Sequence, residues 1–274
     1  MVLNNLYNLA NNFQTRARRM PVLFVGHGHP INAVLDNDFT RMLRRVGEEI
    51  EKPEAILVIS AHWETIGTYV ATSLNPRTIY DFGRFDDRLY NLDYHPPGSP
   101  ELASEIIDNV QLTSIMGDEH MGFDHGAWTI LRFLMPKADV PVLEMSLDYS
   151  RSAAYHYELA KQLKYLRQKG VLIVCSGNIV HNLGRIDWRN IDATPHDWNV
   201  EFDNTVKSHL DHQDFEKLIN YAQFGELAKL AIPTNEHYLP MIYSIGMLEK
   251  NEHVTHLFEG YQFGSMSMRC FKIG

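Results

Sequence analysis

Short runs of apolar, mostly β-branched residues recur along the chain, at residues 22–25, 55–59, 69–71, 140–143 and 171–174. Continuous apolar runs of this length are typical of strands that are buried on both faces of a sheet. Each run therefore predicts a strand, and together they predict a sheet whose two faces are both covered.

Between these runs, apolar residues recur at helical spacing in residues 39–51, 100–110, 127–134 and 153–168. Gly170 follows the last of these segments, as is common at the end of a helix, because glycine adopts the left-handed conformation there. Strands and helices therefore alternate along the chain. This order predicts an α/β fold with a mostly parallel central sheet flanked by helices.

Residues 75–99 are too irregular for a helix or a strand and predict a long, ordered loop, which in a compact domain is commonly functional. Its aromatic side chains could form a wall of a binding site or pack the loop onto the core: Tyr80, Phe82, Phe85, Tyr90 and Tyr94. No repeat or linker marks a domain boundary. We expect one domain at residues 21–274, preceded by an N-terminal extension or helix at residues 1–20.

Composition narrows the possible partners. The chain has 45% apolar and 22% charged residues, which is typical of a globular protein, and a formal net charge of -9, which argues against binding to nucleic acid. Its two cysteines predict neither a disulfide framework nor a thiolate zinc site. No apolar stretch is long enough to span a membrane. We therefore expect a cytoplasmic protein, and the oligomeric state stays open.

Five of the 14 histidines lie at the ends of predicted elements. His27, His62 and His181 follow predicted strands, and His125 and His237 lie near helix starts. In α/β proteins the carboxyl ends of parallel strands form the ligand site. Three imidazoles on separate elements can bind iron, zinc or copper and leave open positions for a substrate. A single histidine in such a place is more often structural, but five together predict a metal site.

His29 is a doubtful ligand, because residues two apart on a chain rarely point at the same ion. The tripeptide Asp81-Phe82-Gly83 matches a magnesium motif of kinases, but the other kinase motifs are missing, so it predicts only a turn. Asp124 could orient an imidazole, although a role as a helix N-cap is equally consistent with its position.

Several motifs occur in the order found in one family: Gly26-His27-Gly28, Ser60-Ala61-His62-Trp63, Asp81-Phe82-Gly83, Gly122-Phe123-Asp124-His125-Gly126, Ser176-Gly177-Asn178 with His181-Asn182, Glu236-His237-Tyr238-Leu239-Pro240, and Gly264-Ser265-Met266-Ser267-Met268. With these motifs the chain resembles the class III extradiol ring-cleavage dioxygenases (LigB-like), most closely the 4,5-DOPA dioxygenase branch. The resemblance covers about residues 20–274 and implies that residues 21–274 are the catalytic domain.

The resemblance also implies roles for individual residues. His27, His62 and His237 match the metal ligands of the family, and His181 matches a histidine that is either a further ligand or the acid/base. His125 matches an active-site histidine that does not bind the metal. We assign His181 as the base and His125 as the hydrogen-bonding or acid partner. His29 departs from the family, because close relatives usually have a small residue there.

The implied reaction is metal-dependent extradiol cleavage, in which O2 is inserted into the aromatic ring of a DOPA-like or related catechol to give a ring-opened semialdehyde. The implied cofactor is non-haem Fe(II). Zn²⁺ can occupy such a site in purified protein, because nitrogen ligands bind it more tightly than Fe(II). The physiological catechol, the side of the diol that is cut and the metal used in the cell stay open.

Two alternatives stay open as well. A zinc-dependent hydrolase could use Glu64 or Glu236 as its base, although the His-Glu-x-x-His helix of zinc peptidases is missing. A non-enzymatic, metal-binding relative of the same superfamily could keep the fold and some of the histidines. The presence of His125 and His181 together with the three matched ligands favours an enzyme.

Overall fold

The central sheet contains all five predicted strands. In the computed structural model, which describes residues 15–274, these strands are β1 (Val22–Gly26), β2 (Ala55–Thr65), β3 (Thr68–Ala71), β5 (Val142–Asp148) and β6 (Val171–Gly177). The sheet gains three strands that were not predicted: β4 (Ile115–Asp118), β7 (Val254–Phe258) and β10 (Cys270–Ile273). A separate two-stranded sheet pairs β8 (Tyr261–Gln262) with β9 (Met266–Ser267).

The eight strands lie in the order β4-β3-β5-β2-β6-β1-β10-β7. The four central strands β5, β2, β6 and β1 are parallel to one another, and β3 is parallel to β4. Among residues 15–274, the antiparallel pairs of this eight-stranded sheet are β3 with β5 and β10 with β1 and β7. The predicted α/β domain with a mostly parallel sheet is therefore confirmed, and two of its three antiparallel pairs involve C-terminal strands that the apolar pattern did not show.

Helices cover both faces of this sheet. Those predicted from the sequence are α1 (Asp38–Glu49), α2 (Pro100–Asn109), α3 (His125–Leu134) and α4 (Ala153–Leu163). Four further helices follow in the second half of the chain: α5 (Asp197–Asp211), α6 (Phe215–Ile219), α7 (Glu226–Ala231) and α8 (Leu239–Gly246). Within residues 15–274 no helix has the length and apolar character needed to cross a bilayer.

Alternate side chains of the central strands are buried in two separate hydrophobic cores, one on each face of the sheet. Val22 and Phe24 of β1 belong to the core beneath α2, α4, α5 and α8, whereas Leu23 and Val25 belong to the core beneath α1 and α3. Successive residues of a strand point to opposite faces, so a continuous apolar run satisfies both cores. Full burial of each such side chain stabilises the fold by about 1.5–3 kcal/mol.

Some predicted boundaries were wrong or are not described. The strand predicted at residues 55–59 continues to Thr65, because β2 passes through an irregularity in its pairing with β5 between Ile59 and Glu64. His62 therefore lies inside this strand and not after it. The predicted loop at residues 75–99 is present and contains one turn of 3-10 helix at Asp87–Asn91. The extension or helix predicted at residues 1–20 lies outside the described residues except for residues 15–20, which form no helix.

Candidate active site

The five predicted site histidines meet at one edge of the sheet, and we call them the histidine cluster. The ring centre of His27 lies 5.0 Å from that of His62, 5.7 Å from that of His125 and 5.4 Å from that of His237. His125 is 3.8 Å from His62, and His181 is 3.5 Å from His237. His27 directly follows β1, His62 lies in β2 and His125 begins α3. His181 lies in the segment after β6, and His237 lies in the segment before α8.

Three members of the cluster could hold a metal ion. One ring nitrogen from each of His27, His62 and His237 lies within 4.8 Å of the others, and the Nε2 atoms of His27 and His62 are 3.1 Å apart. The Nε2 atom of His237 is buried and has no hydrogen-bond partner among residues 15–274. Neutral imidazole nitrogens are common ligands of iron and zinc, and three of them this close together, one without a partner, form a donor set that fits a metal.

Hydrogen bonds at the opposite nitrogen hold two of these rings. Nδ1 of His27 lies 2.9 Å from the hydroxyl of Ser176, which itself donates to the carbonyl of Gly126, so the hydroxyl must accept from His27. Nδ1 of His237 lies 2.9 Å from a carboxylate oxygen of Glu236. A proton on Nδ1 leaves the lone pair on Nε2, and such partners orient metal-binding histidines.

Asp81 lies beside the rings of both His125 and His62. Its two carboxylate oxygens accept from the backbone N–H of His125 at 2.8 Å and from Nδ1 of His125 at 2.9 Å, and one oxygen lies 3.5 Å from Nδ1 of His62. Burial acts to raise the pKa of Asp81, but the bonds from His125 outweigh it and the pKa is lowered. The prediction of a mere turn missed this contact. The only signal for it was the position of Asp81 in a functional loop and in a family motif.

His181 lies beside the three-histidine set and does not belong to it. Its ring stacks on that of His237 at an angle of 11°, and one of its nitrogens groups with ligand atoms of Glu236 and His237. The backbone N–H of His181 donates to the carbonyl of Ala231, which anchors the residue. Of the four residues matched to metal ligands, three therefore form one donor set, and His181 lies outside it against the ring of His237.

Burial keeps four rings of the cluster neutral, those of His27, His62, His181 and His237. It lowers the pKa of His27, His62 and His237 well below the usual value, and the neighbouring imidazoles lower it further. Burial and then His125 lower the pKa of His181 to about 4. Neutral imidazole is the form that binds a metal or accepts a proton, so these four rings can do either near pH 7.

Two buried carboxyl groups lie behind the cluster. Asp124 is the N-cap of α3, where its Oδ1 accepts from the backbone of Ala127 and from the Ser60 hydroxyl. Its backbone N–H donates to Glu144 at 3.1 Å. Burial raises the pKa of Asp124 to about 6 and that of Glu144 well above its usual value. The negative charge of Asp81 raises the pKa of both groups further, and that of Asp124 raises the pKa of Glu144. The N-cap role considered for Asp124 is therefore observed.

Three aromatic side chains surround His29 near the cluster, and we call Phe85, Trp188 and Phe263 the aromatic rim. The ring of His29 packs against them, with ring centres 4.4 Å from Phe85, 6.0 Å from Trp188 and 5.3 Å from Phe263. His29 is not part of the three-histidine set. Of the other loop aromatics, Phe82 lies 5.5 Å from His125, whereas Tyr94 is buried in the core.

Comparisons with known proteins agree with one another. The family model described as the catalytic LigB subunit of aromatic ring-opening dioxygenase matches residues 22–271. The chain is 42% identical to the 4,5-DOPA dioxygenase extradiol of Escherichia coli (strain K12), over 93% of this chain and 95% of that protein. It is 35% identical to the 4,5-DOPA dioxygenase extradiol of Beta vulgaris, over 91% and 94%. The crystal structure of an uncharacterized protein from Escherichia coli K12 superimposes with a TM-score of 0.82 and 39% identity, covering 93% of this chain and 100% of that one.

Proposed function

Because the chain belongs to the LigB family of aromatic ring-opening dioxygenases, we propose that it cleaves a catechol next to its diol with a non-haem Fe(II) ion held by the histidine cluster. The resemblance seen in the motifs is thus confirmed at the level of the family, and the protein is an extradiol dioxygenase. Both atoms of O2 would enter the product, a ring-opened semialdehyde, so no external reductant is needed.

The observation that carries the proposal is the convergence of three imidazoles whose opposite nitrogens face hydrogen-bond partners. His27 and His237 are held through Ser176 and Glu236, and the third ring, His62, lies near the carboxylate of Asp81. When bound by these three rings, Fe(II) would supply Lewis acidity toward the catechol hydroxyls and open positions for the diol and O2. The three rings would thus hold both reactants at one point, so that a reaction between two free molecules becomes a reaction between bound neighbours.

We assign the removal of a proton from the catechol to His181. Its pKa of about 4 keeps the ring neutral near pH 7, and the ring lies against His237 at the border of the three-histidine set. A general base needs a free lone pair within reach of the substrate hydroxyl. Stacking on His237 holds the imidazole of His181 in place. His181 then serves as the base, while His27, His62 and His237 serve as ligands.

We assign the delivery of a proton to His125. The carboxylate of Asp81 accepts from Nδ1 of this ring, so Nε2 is the nitrogen that would carry the delivered proton. The ring of His125 lies 3.8 Å from that of His62, beside the ion that the cluster would hold. Asp81 thereby acts as a positioning residue, because it sets the ring orientation through two hydrogen bonds.

The two alternatives have less support. A zinc hydrolase would need Glu64 or Glu236 as a base, but Glu236 is occupied by Nδ1 of His237 and by the Thr234 hydroxyl. A non-enzymatic role has less support because the matching family is described as a catalytic subunit and the relatives at 42% and 35% identity are named as dioxygenases.

The proposal is tested by oxygen uptake after anaerobic loading with Fe(II), using DOPA, protocatechuate and caffeate in turn. We expect uptake and a yellow, ring-opened product with at least one of them, and loss of both in His62→Ala. His253→Ala changes an exposed histidine outside the cluster and serves as the matched control. Stoichiometric iron without uptake for any of these catechols would overturn the proposed reaction.

A further inference from the structure

His29 combines a fixed tautomer with a buried nitrogen that has no partner. Its Nδ1 accepts from the backbone N–H of Ile31 at 3.1 Å and caps the short 3-10 helix Pro30–Val34. In the neutral ring, the proton must then lie on Nε2. This atom is buried and makes no hydrogen bond to any group in the described part of the chain. A buried donor left without an acceptor is unfavourable and calls for an explanation.

The surroundings of this donor are suited to a flat ligand. Phe85 and Trp188 are large aromatic residues that remain 49% and 52% exposed, although they come from different loops. Their rings are nearly parallel, at 14° and 6.1 Å between centres. Half-exposed aromatic rings around one convergent polar group are typical of ligand sites. The rim therefore offers apolar contact, and His29 offers an oriented donor.

The rim is also held in place by its backbone. Phe263 adopts a left-handed conformation with φ of 51°, which is unusual for a bulky residue. Its N–H donates to the carbonyl of Ile191 and its carbonyl accepts from the N–H of Asp187, so both ends of the segment that carries Trp188 are fixed to it. A strained residue kept by its surroundings often marks a functional site.

The aromatic rim lies near the histidine cluster, with Phe82 between them. The ring of Phe85 lies 6.5 Å from that of Phe82, which in turn lies 5.5 Å from His125. On the basis of the catechol cleavage proposed above, we propose that His29 and the aromatic rim bind the ring substituent of the substrate and that Nε2–H of His29 donates to an oxygen on it. His29 is thus a specificity-determining residue. The oxygen can belong to a carboxylate or to a neutral carbonyl, but an ammonium group has no lone pair to offer.

Three probes and three variants test this subsite. The probes are 3,4-dihydroxyphenylpropanoate, its methyl ester and 4-methylcatechol, which lacks an acceptor. His29→Asn can keep the cap on Ile31 while it removes the buried donor. His29→Gln can place an amide N–H near the same point. His253→Asn makes the same change at an exposed histidine. Dissociation constants are measured by calorimetry on anaerobic, Zn²⁺-loaded protein, in which binding is seen without turnover.

We expect His29→Asn to weaken the binding of an acceptor-bearing probe by about tenfold relative to 4-methylcatechol, which corresponds to one lost hydrogen bond. His29→Gln should recover part of this ratio, and His253→Asn should not change it. A loss for both the acid and the ester supports a general oxygen subsite, and a loss for the acid alone supports a carboxylate subsite.

An equal loss for all three probes would overturn the proposal, because His29 would then only support the backbone. So would an unchanged ratio in a variant with the circular dichroism spectrum of the parent protein. Oxygen uptake by the Fe(II)-loaded parent is measured separately. If the binding ratios follow the expectation and no uptake occurs, ring cleavage is wrong while the subsite stands.

Discussion

The histidine cluster and the aromatic rim are neighbours, but they are built in different ways. The cluster comes from strands and helix starts, and Ser176, Glu236 and Asp81 fix its rings. The rim comes from loops, and its rings contact each other without hydrogen bonds of their own side chains. Chemistry needs groups held to within a fraction of an ångström, whereas substrate selection can use adaptable apolar contact. We infer that the cluster sets the reaction and the rim sets which catechol is used.

The largest effect should follow from removing a cluster ligand. His237→Ala deletes the buried Nε2 that has no partner in residues 15–274. We expect metal content to fall and kcat/KM to drop by more than about 100-fold, because even the loss of a group that only orients a ligand costs about 10–100-fold. Metal analysis and oxygen uptake measure this. His29→Asn should keep its metal, and stoichiometric metal in His237→Ala would contradict the assigned ligand set.

A smaller effect is expected from Asp81→Asn, which replaces the carboxylate that holds His125. His125 donates two hydrogen bonds, one to each carboxylate oxygen of Asp81, and an asparagine amide has only one oxygen that can accept them. We expect kcat to fall by about 10–100-fold while metal content is retained, because the ring loses its orientation and its negative partner. Asp87→Asn changes an exposed carboxylate of the same loop and is the control. A drop in metal content equal to the drop in kcat would assign Asp81 to metal retention instead.

The rim should respond in binding more than in rate. Trp188→Ala removes one half-exposed ring that packs against Phe85 and His29. We expect KM for an aromatic substrate to rise by about 2–10-fold, the range that corresponds to one aromatic contact, with little change in kcat. Steady-state oxygen uptake separates the two constants. Leu112→Ala removes an exposed apolar side chain elsewhere and should leave KM unchanged. A large fall in kcat would contradict the inference that the rim acts in substrate binding and the cluster in the reaction.

The smallest effect concerns the buried carboxyls behind the cluster. The pKa of Asp124 is raised to about 6 and that of Glu144 is raised further above its usual value, so the folded protein keeps protons that the unfolded chain releases above about pH 4. This contribution to stability is present at low pH and is lost as the pH rises through the raised pKa values.

Glu144→Gln has no proton to lose and keeps an acceptor for the backbone of Asp124. We expect the metal-free variant to be more stable than its parent by about 1 kcal/mol near pH 7, with a smaller difference near pH 4.5. Denaturant unfolding at both pH values measures this. Glu158→Gln, at an exposed position paired with Lys161, is the control. If the variant and its parent had equal free energies of unfolding at both pH values, the buried charge of Glu144 would not destabilise the folded protein.

The sequence alone determined much of this protein. The apolar runs that became β1 and β6 predicted the parallel core, and they placed His27 and His181 just beyond strand ends. Local patterns can do this because burial on both faces of a strand requires a continuous apolar run. The motifs added the family, and the five histidines that they single out lie together in the structure.

Only the tertiary structure decided how these histidines are held. It extended β2 through an irregularity, so that His62 lies within the strand, and it added the antiparallel strands β7 and β10 from segments without a clear apolar run. It also brought Asp81 to His125 and Ser176 to His27, and it folded two loops over His29. Such pairs join residues far apart in the chain, and they depend on the path of the loops and on packing. Periodicity along the sequence records burial, but it does not record which distant partner a polar group will meet.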